Sequence, residues 1–206
     1  RKMYVEDSDG RVATNVYSIA PDLDGNIWVG TDQGPFIYYD SERVFEDNYH
    51  ASRIKIPRND GTNLADFMLG TETITSIAID GANRKWIGTA ESGAYLLTAD
   101  GTQQLASFNE SNSPILSNYV TSIAVDNKTG EVWFGTRNGI QSFRGNAIRG
   151  EDAFSNVYAF PNPVREDYTG NVTITGLIRD TEIKITDISG NLVYSTKSDG
   201  GMATWD

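Results

Sequence analysis

A stretch of about twenty residues recurs three times in this 206-residue chain, and it constrains the fold more than any other feature. The first copy runs Val16-Tyr17-Ser18-Ile19-Ala20-Pro21-Asp22 and then Ile27-Trp28-Val29-Gly30-Thr31, with Gly34 after it. The second runs Ile74-Thr75-Ser76-Ile77-Ala78-Ile79-Asp80 and then Lys85-Trp86-Ile87-Gly88-Thr89, with Gly93. The third runs Val120-Thr121-Ser122-Ile123-Ala124-Val125-Asp126 and then Val132-Trp133-Phe134-Gly135-Thr136, with Gly139. The Trp-to-Trp spacings are 58 and 47 residues. Self-similarity at roughly 40–50 residues marks an array of four-stranded propeller blades. The longer first interval leaves room for an insert over 41–69, polar and irregular around Tyr49, His50 and Asn59-Asp60-Gly61.

Each copy reads as a β-meander. Ser-Ile-Ala is a short strand, Asp and Gly make a turn, and Trp-x-Gly-Thr is the next strand. The following Gly turns the chain into a third strand, at Phe36–Tyr39, Ala94–Leu97 and Ile140–Phe143. Side chains alternate faces along a strand, and here both faces are largely apolar, as blades stacked around an axis require. The three Trp residues could form an aromatic ligand platform. Recurrence at one repeat position points instead to packing between neighbouring blades. Gly30, Gly88 and Gly135 are expected to permit close approach of a neighbour. Propellers close with about four to eight blades, and three alone would leave two open edges. The chain is therefore expected to be a fragment of a longer polypeptide.

These residues resemble the two-component-regulator propeller repeat, a family of multi-bladed propellers in bacterial envelope proteins. The C-terminal segment differs. It holds Val157–Phe160, Pro161-Asn162-Pro163, Asn171–Leu177, Glu182–Asp187, a Ser189-Gly190-Asn191 turn, Leu192–Thr196 and a closing Thr204-Trp205-Asp206. Alternation within these runs and the Ser-Gly-Asn turn predict antiparallel hairpins. The pattern resembles the immunoglobulin-like C-terminal domains of type IX secretion proteins. The expected fold is all-β: a partial β-propeller with three recognisable blades of a larger one (1–150), followed by a small antiparallel immunoglobulin-like β-sandwich (151–206), truncated at its C-terminus. Together the two modules look like a PorZ-type surface component, which implies an accessory role outside the cell in attaching exported proteins through a lipopolysaccharide.

Charge and composition exclude several classes. The net charge of −11 is spread over both segments and leaves no basic patch, so nucleic acid is not an expected partner. With no Cys there is no disulfide or thiolate chemistry. No apolar run is long enough to span a bilayer as a helix. Asp22-Leu23-Asp24-Gly25-Asn26 invites a calcium test, but a helix–loop–helix calcium loop needs Gly at position six and Glu at twelve. Those positions hold Ile27 and Gln33, and Asp shaping a turn is the simpler account. His50 is the single histidine and has no Ser-His-Asp pattern around it. No catalytic residue, metal site or cofactor is expected.

The leading expectation is a non-enzymatic cell-envelope binding or scaffold protein, exported to the cell surface or periplasm of a Gram-negative bacterium. Its partners would be outer-membrane or surface proteins, a glycan, or a lipopolysaccharide. The alternatives are the periplasmic ligand-sensing domain of a hybrid two-component regulator and, third, a propeller-based polysaccharide lyase. Tyr38, Tyr39 and Tyr49 could stack on sugars, although such tyrosines usually pack; no ligand-binding residue is assigned by the sequence.

Overall fold

In the computed structural model every residue is described except Arg1, Asn59 and Asn63, so part of the insert signal at Asn59-Asp60-Gly61 lies outside the described residues. The described residues form strands, bridges, turns and loops without a helix. The chain divides into two compact units. One comprises residues 1–79, 83–124 and 133–142; the other comprises 80–82, 125–132 and 143–206.

The three repeats form three antiparallel sheets. The first contains β1 (Val16–Pro21), β2 (Ile27–Thr31) and β3 (Gly34–Tyr38) in that order. Ile37 and Ser52 exchange both backbone hydrogen bonds, at 2.8 and 2.7 Å, so the chain near Ser52 continues this sheet beyond β3. The insert is more ordered than its composition suggests, because it also pairs β4 (Lys55–Pro57) with β5 (Ala65–Phe67). The second sheet has four strands in chain order: β6 (Ile74–Ile79), β7 (Lys85–Thr89), β8 (Ala94–Leu97) and β9 (Gln104–Phe108). The third contains β10 (Val120–Asp126), β11 (Glu131–Thr136) and β12 (Gly139–Arg144). The repeat is reproduced down to register. Ile19 pairs with Val29 as Ile77 pairs with Ile87, and both sheets carry an irregularity just before the repeat serine.

Stacking of these sheets forms the core of the first unit. Trp28 sits among Ile54, Ile74, Ile77 and Leu97. Trp86 packs on Phe108 and on Phe134 of the next repeat, with ring centroids 5.6 and 5.7 Å apart. The first two tryptophans are 2% and 0% exposed, as packing between blades requires, whereas Trp133 is 47% exposed. The expectation that every copy is buried on both faces holds for β7 and corrects for β1. Val16 and Ile19 are exposed, although their counterparts Ile74 and Ile77 are buried, and Tyr17 is exposed as well. Within this stretch of chain the second copy is packed between the other two, so the same residue types stand in different environments.

In the second unit, β13 (Tyr158–Phe160), β14 (Val172–Thr175) and β17 (Met202–Trp205) form a three-stranded antiparallel sheet with β14 central. β15 (Glu182–Thr186) and β16 (Leu192–Lys197) form the hairpin that the Ser189-Gly190-Asn191 turn predicts. Gly190 there has φ +86°, a conformation glycine adopts without steric penalty. Leu177 and Ala203 are buried, while Tyr158, Phe160, Leu192 and Val193 are exposed. These strands establish two small antiparallel sheets.

Candidate functional site

The repeat turns are built by aspartate. Asp22 Oδ1 accepts the backbone N–H groups of Asp24 and Asn26 at 3.0 and 2.9 Å, and Oδ2 accepts the Asn26 amide at 3.0 Å. Asp187 repeats the arrangement, accepting from Ser189, Asn191 and the Asn191 side chain. The sequence Asp-x-x-Gly-Asn is common to both turns. The side-chain oxygens that a calcium ion would need are thus occupied by the turn itself, as Asx turns require. Among the described residues no three His, Asp or Glu side chains converge as a metal site.

Asp22 carries a second set of contacts. Its Oδ2 accepts the indole N–H of Trp28 at 3.1 Å and lies 3.1 Å from the Lys85 ammonium. Lys85 is fully buried. It donates to the carbonyls of Asn83 and Ala99, and its ammonium lies 5.0 Å from the centre of a Trp28 ring. Burial alone would raise the Asp22 carboxyl; hydrogen bonds from Asn26 and Trp28, with the charge of Lys85, outweigh it and hold the group below its ordinary range. The sequence reading passed over Lys85. The signal was present, since lysine stands where the other copies have Ile27 and Val132.

Above this buried pair lies a groove of about 500 Å³, lined by Asp22, Asp24, Trp28, Tyr39, Asp100 and Thr102 among others. Tyr39 is 57% exposed. Its hydroxyl pKa is raised, first by burial and then by the charges of Asp100 and Asp22. Asp100 is fixed by Thr98 and Thr102, which donate to it at 2.5 and 2.9 Å. Asp24 accepts from the Asn83 amide at 2.7 Å. The floor is therefore tied by side-chain hydrogen bonds, and the rim presents an aromatic face beside carboxylate acceptors, with Arg53 and Lys55 also in the lining.

The other two tyrosines are placed differently. Tyr38 is buried, with its ring 6.1 Å from that of Tyr49. The Tyr49 hydroxyl accepts the Asp40 N–H at 2.8 Å. Tyr49 also lines a second groove of about 390 Å³ with Tyr4, Phe45, Glu46 and His50. Arg53, likewise unremarked in the sequence, ties the insert down. Its guanidinium lies 3.9 Å from the centre of the Phe67 ring and donates to the Gln33 carbonyl at 2.9 Å.

The model of the two-component regulator propeller family matches residues 10–33, which span the first turn and Trp-x-Gly-Thr strand. The chain carries the two-component-regulator propeller repeat. Among solved structures, it is similar to PorZ of Porphyromonas gingivalis, described as an essential bacterial surface component of the type-IX secretion system. Identity is 32% over 98% of this chain, with a TM-score of 0.68. The repeat chain spans only 27% of that PorZ chain. It is also similar to an extracellular domain described as that of a hybrid two-component system from B. thetaiotaomicron. There the identity is 19%, over 98% of this chain and 29% of the other, with a TM-score of 0.51. At that identity the likeness concerns the fold alone. No curated protein matches the repeat chain. No helix among its described residues is long and apolar enough to cross a membrane.

Proposed function

We propose that the chain is part of an exported, non-enzymatic binding or scaffold protein of the bacterial exterior, serving in type IX secretion as PorZ does. The similarity to PorZ along almost the whole chain carries this reading. The strands β13–β17 are then the immunoglobulin-like module that Pro161-Asn162-Pro163 implies. The Tyr39 groove, on the first two repeats, is the ligand site of the protein. An exposed aromatic ring offers a stacking face for a sugar, and Asp24 and Asp100 offer acceptors for its hydroxyls. Lys55 and Arg53 line the groove together with those carboxylates, so it presents both charges to a glycan. The ligand is therefore a glycan segment.

Deleting the encoding gene in its own bacterium tests the role: cargo of the secretion system should no longer reach the cell surface. Unimpaired surface display would remove the reading. Titration of the chain with surface-derived oligosaccharides, neutral and acidic, tests the groove. Tyr39→Ala should weaken binding at least tenfold, and an unchanged affinity would place the ligand elsewhere.

A further inference from the structure

The first two sheets converge at their first strands, since β6 packs against β1 and β2. The opposite edge of each blade therefore faces out of the ring, where no neighbouring blade covers it. The two copies close that edge differently. In the first, β4 carries Lys55 and Pro57, and its neighbour β5 carries Asp66, which accepts from Arg58 at 2.9 and 2.5 Å. Charge and proline keep an edge from recruiting another strand. In the second, β9 is the last strand, and residues 102–109 include neither a charged residue nor a proline. Leu96 pairs with Ala106 and Leu97 with Gln104, so Leu105 bulges and is 50% exposed. A bulge twists the strand locally and leaves the edge beyond it, at Ser107 to Asn109, to be closed by other means.

Past β9 the chain turns back on itself. The N–H groups of Asn112 and Ser113 donate to the Asn109 carbonyl at 3.1 and 3.0 Å, and Asn109 Oδ1 accepts the Ser111 N–H at 2.9 Å. Glu110 and Asn118 each donate a backbone N–H to the other's side chain, at 2.9 and 2.8 Å. The turn so fixed returns the Asn112 side chain to the edge of β9. Asn112 Nδ2 donates to the Ser107 carbonyl at 3.1 Å, and its Oδ1 accepts the Asn109 N–H at 2.9 Å. These two backbone groups flank Phe108. A residue of a parallel neighbouring strand would use its own N–H and C=O on the same two groups. One side-chain amide therefore occupies the place of one residue of a fifth strand.

We propose that Asn112 locks the outer edge of the second copy and keeps an uncharged extended peptide from adding to β9 as a parallel fifth strand. The peptide best matched to that edge is a second run of the β9 sequence, because identical uncharged strands stack in register, like side chains on like. An incoming strand must displace both Asn112 bonds before it gains its own. The lock does by hydrogen bonding on the second copy what Lys55, Pro57 and the Arg58–Asp66 pair do by charge and chain chemistry on the first.

A labelled synthetic peptide with the sequence of residues 102–109 is the probe, titrated against the chain by fluorescence anisotropy. Asn112→Ala should bind it roughly tenfold or more tightly than the unaltered chain does, the worth of two hydrogen bonds that no longer need displacing. Asn112→Asp keeps the acceptor for the Asn109 N–H and loses the donor to Ser107, so it should bind roughly threefold more tightly. This second variant carries the test if Asn112→Ala fails to fold. A peptide methylated on the backbone nitrogen of its Phe108 keeps every side chain but cannot donate to the Ser107 carbonyl, and its binding to Asn112→Ala should be lost. Equal affinity for the unaltered chain and the variants, no binding to any of them, or undiminished binding of the methylated peptide would overturn the proposal.

Discussion

The Lys85 ammonium and the Asp22 carboxylate lie 3.1 Å apart, with 0% and 1% of their side chains exposed, and they join the second repeat to the first. The pair is satisfied on every side, by Asn83 and Ala99 carbonyls below the lysine and by Asn26 and Trp28 donors around the aspartate. Breaking such a pair leaves a buried charge without its counterion. Lys85→Ala should cost about 3–5 kcal/mol, read as a shift in the urea midpoint. The double variant Asp22→Asn, Lys85→Ile should lose less than Lys85→Ala alone, because both charges go together and Ile is the residue the first copy uses.

Acid should act through the same carboxylate. The Asp22 pKa is lowered in the folded chain, whereas the unfolded chain titrates near about 3.9. Its contribution is fully present above that value and is lost as pH falls through the lowered folded value. Stability measured by denaturant titration should fall below about pH 4. Asp22→Asn should flatten the fall. An equally steep decline in the variant would assign it to other carboxylates.

The three tryptophans should respond unequally. Trp86→Ala removes a buried ring in contact with Phe108 and Phe134 and should cost about 3–5 kcal/mol. Trp133→Ala, at a half-exposed position, should cost the isolated chain less than about 1 kcal/mol. Thermal unfolding of both gives the comparison.

The junction serines should divide in the same way. Ser76→Ala strips the Ile123 N–H of its acceptor in a buried setting and should cost about 1–3 kcal/mol. Ser122→Ala should stay within about 0.5 kcal/mol. Hydrogen exchange at the Ile123 amide offers a local check, since protection there should drop with Ser76→Ala.

Repeat spacing, strand order and the role of the glycines were legible in the sequence, because each rests on local chemistry. Gly30 and Gly88 recur where a neighbour's methyl must enter, and Asp-x-x-Gly-Asn closes its turn with its own side chain. The Ser189-Gly190-Asn191 hairpin was legible for the same reason. The insert was less so. Its pairing through Ser52 and its anchoring through Arg53 depend on residues from other strands, which no local pattern encodes.

What the sequence by itself determined is the repeated unit: a meander whose Trp, Gly, Ser and Thr residues are suited to stacking. What only the tertiary structure decided is how the copies meet. Trp28 and Trp86 are buried and Trp133 is not; Ser18 and Ser76 accept across a junction, while Ser122 folds back over Gly135. The identity of a residue sets what it can bond to, but burial depends on what is brought against it. The Asp22–Lys85 pair and the Tyr39 groove belong to the same class, since they form from residues far apart in the chain only after the first two copies have packed together.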